Sequence, residues 1–177
     1  MHNQRYKFNL LIEPHLRAAY NLARWLMGNH ADAEDVAQES LLKAFRAVDR
    51  VHAAEEARAW LLAIVRNTAL NYMQRRRPKA EVSSGETLPD PVDRSVGPEV
   101  SLLQQERREK VRRAIQHLPL EFREPIILRE IESLSYKEIA WVLKIPIGTV
   151  MSRLSRARVM LMNELIPKEK CHDVSGN

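Results

Sequence analysis

A single cysteine, Cys171, stands among the 177 residues. It excludes an intrachain disulfide and any multi-cysteine zinc site, and it fits a reducing cytoplasm. Glycine is scarce as well, at five residues beside nine prolines, which argues against an all-β fold dense in turns. No apolar run approaches the roughly 18 residues that a membrane span requires, so no membrane insertion by this chain is expected. Glu13 and Pro14 interrupt the N-terminal stretch before a signal-type apolar block can form. No H-E-x-x-H, G-x-x-x-x-G-K-S/T or G-x-S-x-G pattern occurs, and the six histidines are dispersed. Cys171 and His172 offer two metal ligands with no others nearby, a poor site. The expectation is therefore a chain without catalytic residues, cofactor or metal. Repeats of about 20 to 50 residues are absent too.

What remains is the balance of a soluble globular protein, 45% apolar and 29% charged. The net charge is modest, 28 − 23 = +5, but charge is locally segregated. Residues 32–39 carry Asp32, Glu34, Asp35 and Glu39 without a base. Residues 57–79 carry Arg58, Arg66, Arg75, Arg76, Arg77 and Lys79 without an acid. Such blocks suit separate partners, or else are solvated helix faces. Residues 78–100 lose apolar periodicity and hold Pro78, Pro89, Pro91 and Pro98, which a continuous helix cannot cross. They are also net acidic. The expected organisation is all-α: a small helical domain at 1–77, a flexible acidic linker at 78–100, a second small helical domain at 101–167, and a tail at 168–177.

In the first domain, Leu16, Ala19, Leu22, Ala23 and Leu26 recur at helical spacing, with Gly28 as the stop. Asp32 can cap a second helix whose inner face is Val36, Ala37, Ser40, Leu41, Ala44, Phe45 and Val48. A third helix, about 56–76, turns Trp60, Leu61, Ile64, Val65 and Thr68 towards the core. In the second domain a charged helix over 101–117 buries Leu103, Val111, Ala114, Ile115 and Leu118, and Pro119 ends it. Phe122, Ile126, Ile127 and Ile131 mark a short helix after it.

Ser135-Tyr136-Lys137-Glu138 then has the spacing of a capping box. The helix it opens buries Ile139, Ala140 and Leu143. Pro146 forces a break at Ile145. A longer helix follows with Ile147, Val150, Leu154, Ala157 and Leu161 inward. Its outward arc carries Gly148, Ser152, Ser155 and Arg156, flanked by Thr149, Met151 and Arg153. Short polar side chains near a helix N-terminus, with arginines behind them, suit a DNA major groove. An αα-hairpin that never touches DNA has the same spacing.

Three blocks together resemble a known family: Asp32-Ala33-Glu34-Asp35-Val36-Ala37-Gln38-Glu39; Ala59-Trp60-Leu61 through Arg66-Asn67; and Leu134-Ser135-Tyr136-Lys137-Glu138-Ile139-Ala140 with Pro146-Ile147-Gly148-Thr149-Val150 and Ser152-Arg153-Leu154. Their order and separation resemble the extracytoplasmic-function sigma factors of bacterial RNA polymerase, from about Leu10 to Leu165. The resemblance implies that the chain binds core RNA polymerase and directs initiation at promoters with two upstream elements. It implies that Asp35, Gln38, Glu39 and Leu42 dock on the polymerase; Asp32, Glu34 and Asp35 also fit acids that complement a helix dipole, but Gln38 and Glu39, a turn later, do not. It implies that the third helix melts and reads the minus-ten element, with Arg58, Asn67, Asn71, Arg75 and Arg76 as contacts. The loop at about 50–57 would capture a flipped base. Asn67 could instead brace the fold, and Trp60 could be a stacking platform or a core residue. Thr149, Ser152, Arg153 and Arg156 would read the minus-thirty-five element, with Arg129 and Lys137 on the backbone. Met151 departs from the family, which usually has Lys or Arg there. The acidic linker would thread a nucleic-acid channel or serve only as a tether. An anti-sigma factor is a further implied partner.

Two rival functions remain. A DNA-binding regulator that uses its helix-turn-helix independently would bind duplex tightly alone, as a dimer on paired half-sites. A pure interaction module would be sequestered by another protein.

Overall fold

The computed structural model describes residues 2–76 and 98–166, and every described element is helical. The first unit consists of α1 (His2–Leu11), α2 (Leu16–Met27), α3 (His30–Ala47) and α4 (Ala54–Arg76), with 3-10 turns at Glu13–His15 and Val48–Arg50. The second consists of α5 (Pro98–His117), α6 (Leu120–Ile126), a π turn (Ile127–Ile131), α7 (Tyr136–Leu143) and α8 (Ile147–Leu165). The acidic linker and the tail fall almost wholly outside the described residues, although α5 opens at Pro98, inside the stretch expected to be linker.

Local chemistry sets the boundaries of the first unit. Gly28 ends α2 in the left-handed conformation, φ 79°, where a side chain would be strained. Asn29, not Asp32, is the cap of α3. Its side-chain oxygen accepts the Asp32 amide at 2.9 Å while its amide donates to the Asp32 carboxylate at 2.8 Å. Asp32 thus occupies the position of the reciprocating acid of a capping box. Helices α2, α3 and α4 pack on one another around Leu22, Leu26, Val36, Ala44, Leu61, Leu62, Val65 and Ala69, all buried. Helix α1 lies against the end of α3, where Phe8 meets Phe45 edge-on at 5.4 Å. Phe45 therefore sits at the rim of the core and stays partly exposed.

In the second unit, α8 packs on α5, α6 and α7. The Arg123 guanidinium donates to the carbonyls of Gln116 and Leu118 and so closes the C-terminus of α5. Val111, expected inside, is 42% exposed: among the described side chains, the core side of α5 lies over Ala114, Ile115 and Leu118. Ile147 is likewise 39% exposed, because the first turn of α8 projects past its neighbours and burial begins at Val150. Pro125 removes a backbone donor from α6, and the chain then widens into the π turn. There the Glu132 amide reaches back to the Ile127 carbonyl at 3.0 Å and the Leu134 amide to Leu128 at 2.9 Å. The single helix expected over this stretch is thus two segments of different pitch.

The two units share one apolar core, with α4 against α7 and α2 against the π turn. Two ion pairs join them. Arg66 grips Glu124 with two hydrogen bonds, at 2.7 and 3.2 Å. Arg58 donates to Glu132 at 2.8 Å. Both carboxylates are buried. Arg66→Met should strand the Glu124 charge and cost about 3–5 kcal/mol in urea unfolding. Adding Glu124→Met should recover most of that loss; a double variant as unstable as the single one would refute the pairing account.

Candidate nucleic-acid interface

Helix α3 presents Asp35, Gln38, Glu39 and Leu42 at helical spacing on one outward face. Leu42 is 59% exposed, an apolar side chain among acids. Glu39 holds Lys43 at 2.6 Å. Asp32 does not belong to this face. It is buried at the foot of α4, where Tyr72 donates at 2.8 Å and Arg76 at 2.5 and 2.6 Å. Burial pushes the Asp32 carboxyl up, but the hydrogen bonds from Asn29 and Tyr72, with Arg76, outweigh it and hold the group below its ordinary value. Burial and the adjacent carboxylate push the Tyr72 hydroxyl up to about 12. Arg76 also lies over the Tyr72 ring, 5.4 Å from its centre.

The acid-free surface of α4 is less free than its sequence implies. Arg58 is engaged by Glu132 and Arg66 by Glu124, both from the other unit. Arg76 is engaged by Asp32. Arg75 and Asn71 face solvent, and Asn67 is half-buried. Asn67 and Asn71 meet Trp60 in an open cleft of about 280 Å³ between α3 and α4, whose walls also include Lys43, Arg50 and Thr68. Trp60 packs on the core with one part and lines the cleft with another. The Lys43 ammonium donates to the Thr68 hydroxyl at 3.2 Å. Sequence reasoning missed Lys43, since only the packing of α3 on α4 brings it to the cleft, and it placed Thr68 in the core, where it is indeed buried while also lining the cleft.

The helix-turn-helix is formed by α7 and α8. The capping box is complete: the Ser135 amide donates to Glu138 at 2.7 Å, and the Glu138 amide to the Ser135 hydroxyl at 3.3 Å. Lys144 turns the chain with φ 56°, and Pro146 begins α8. Ile139, Val142, Leu143, Val150, Leu154 and Ala157 are buried between the helices and α6, whereas Ala140 is half-buried. Gly148, Ser152, Ser155 and Arg156 are exposed together along α8. The Ser152 hydroxyl donates to the Thr149 carbonyl at 3.0 Å, and Thr149 itself is half-buried. Arg153 reaches Glu121 at 3.4 Å and Arg158 reaches Glu130 at 2.7 Å. Arg156 makes no ion pair among the described residues. Lys137 is exposed on α7. Arg129 is turned inward instead, donating to the Leu134 carbonyl at 2.8 Å and lying 5.1 Å from the Tyr136 ring centre. It braces the entry to α7.

No cluster of three or more metal-ligating side chains occurs among the described residues, and Cys171 and His172 fall outside them. No described helix is long and apolar enough to cross a membrane.

Two family models match the chain: Sigma-70 region 2 over residues 11–79, and Sigma-70 region 4 over residues 108–161. The chain is 37% identical over 171 residues to the ECF RNA polymerase sigma-E factor of Salmonella typhimurium, covering 90% of this chain and 87% of that protein. Identity is 37% to the sigma-E factor of Haemophilus influenzae also, at 90% and 88% coverage. Among solved structures, the sigma factor RpoE in complex with the anti-sigma factor NepR from Bartonella quintana superposes with a TM-score of 0.72, at 28% identity over 92% of this chain and 97% of that one. CnrH in complex with the cytosolic domain of CnrY gives 0.63, at 27% identity over 89% and 86%.

The lowered Asp32 pKa has a sign that can be tested. A carboxyl held below its unfolded value stabilises the fold at neutral pH, and that stability disappears as pH falls through its folded value. Asp32→Asn should therefore be less stable than the parent at neutral pH in urea unfolding, and the difference should vanish in acid. A difference that is constant with pH would rule out the ionised carboxylate as its source.

Proposed function

The chain belongs to the extracytoplasmic-function (ECF) RNA polymerase sigma factor family, and from that premise we propose how its two helical units divide the work of promoter-specific transcription initiation. The observation that carries the reading is the coincidence of region 2 with the first unit and region 4 with the helix-turn-helix. The outward face of α3, with Asp35, Gln38, Glu39 and Leu42, docks on core polymerase. Its acids suit a basic partner surface and Leu42 supplies an apolar anchor. The cleft between α3 and α4 receives the minus-ten element, with Asn67 and Asn71 as polar contacts and Arg75 on the displaced strand. Arg58 joins them once Glu132 releases it, and Arg76 steadies the end of α4 through Asp32. The α7–α8 pair reads the minus-thirty-five element. The α8 N-terminus and Lys137 hold phosphates, Arg156 addresses bases with Thr149, Ser152 and Arg153 around it, and Arg129 keeps the motif in shape.

The chain supplies recognition, while bond formation belongs to the polymerase. Its place of work is accordingly that of the polymerase, the cytoplasm. An anti-sigma factor of the kind bound to the structural relatives is its regulatory partner. Mixing the protein with core RNA polymerase and genomic fragments should yield new transcript starts that share two upstream elements. No new starts and no core binding, with both components active, would return the chain to independent DNA binding. Within that assay, Gln38→Ala with Glu39→Ala should weaken core binding and leave duplex binding intact. Arg156→Ala should cost about 1–3 kcal/mol of upstream-element affinity; an unchanged footprint and affinity would remove it from the reading set.

A further inference from the structure

Resting on the assignment of α8 as the duplex-reading helix, we infer that Met151, together with Ile147, reads thymine methyl groups in the major groove of the upstream element. Ile147, Met151 and Ser155 lie one turn apart and form a stripe along α8 beside the arc of Gly148, Ser152 and Arg156. Met151 is 51% exposed and Ile147 39%. The core of the motif is filled by the adjoining stripe of Val150, Leu154 and Ala157, and Met151 lies on its flank with half of its surface left uncovered. Ile147 and Met151 belong to the first two turns of α8, the part of a recognition helix that approaches base edges.

The surrounding polar groups leave room for such a contact to matter. The Ser152 hydroxyl is held by the Thr149 carbonyl, and Arg153 and Arg158 face Glu121 and Glu130. Among the four bases only thymine offers a methyl group in the major groove. A methionine, unbranched and polarizable, can fit itself to that methyl group. A lysine or arginine in its place would hold a phosphate, adding affinity that depends on salt and not on sequence. The exposed apolar stripe thus shifts this part of the interface from charge to base identity.

The test uses the holoenzyme formed with core polymerase. Duplexes are selected from a pool randomised in the upstream element. Each thymine of the enriched sequence is then replaced singly by deoxyuridine, which lacks only the methyl group. At one or two positions binding should fall about fourfold, the value of one buried carbon group. Met151→Ala should weaken the thymine duplex and erase the sensitivity to deoxyuridine at those positions, the signature of a coupled pair. Met151→Lys should also erase it, while steepening the salt dependence by about one phosphate contact. Enrichment followed by indifference to deoxyuridine at every position would overturn the inference alone, as would full sensitivity retained in Met151→Ala. Failure to enrich any sequence would overturn the assignment of α8, and this inference with it.

Discussion

Helix α4 has to satisfy two neighbours with one run of side chains. Leu61, Leu62, Val65 and Ala69 close the core with α2 and α3, while Arg58 and Arg66 point into the junction with the second unit. The acids they meet there are almost fully buried. A buried carboxylate without a partner costs several kcal/mol, so the relative placement of the units depends on these two pairs. The pairs are not equivalent. Arg66 meets Glu124 through both guanidinium and carboxylate forks. In the other, Arg58 Nε and Glu132 Oε1 are buried without a hydrogen-bond partner among the described residues. Burial raises the Glu132 carboxyl despite the opposing Arg58 charge. One contact is thus saturated and the other is under tension, which makes the Arg58 end of the junction the easier one to part.

The same junction explains a paradox of charge. A helix can be free of acids over most of its length, as α4 is from Ala57 onward, and still be neutralised, because its partners come from far along the chain. Glu132 lies 74 residues from Arg58 and Glu124 lies 58 from Arg66. A phosphate backbone offers these arginines the chemistry that the carboxylates now provide, in the water-accessible setting where the desolvation cost is smaller. The contact proposed for Arg58 with the displaced strand would therefore draw on the donors that its pair with Glu132 now uses.

Features that depend on neighbouring residues were legible in the sequence. Gly28 as a stop, the Ser135–Glu138 capping box and the buried stripe of α8 from Val150 onward follow from spacing within a few residues. The cap of α3 was misread within that range, because Asn29 and Asp32 are both capping types and hydrogen-bond each other. Val111 and Ile147 show a second limit. Periodicity identifies the face of a helix, but how far a neighbour covers it is decided by packing. The cleft was half legible: Trp60, Asn67, Thr68 and Asn71 share α4, whereas Lys43 reaches Thr68 only across from α3. The carbonyl and ring that hold Arg129 carry no local mark in the sequence, because they come from Leu134 and Tyr136 only once α7 is folded.

The π turn at Ile127–Ile131 has a consequence for what lengths this chain tolerates. A π turn is an α-helix carrying one residue too many. Deleting any one of its residues would let the segment wind on as regular helix, at about 100° of rotation per residue. Glu132 would swing away from Arg58, and everything after it, the α7–α8 pair included, would be turned relative to the first unit. Substitution at a buried position such as Ile127 disturbs the shared core, but a change of count alters the angle at which two DNA elements are presented. In this stretch residue number is itself a structural parameter, and an insertion or deletion there would act as a change of promoter spacing.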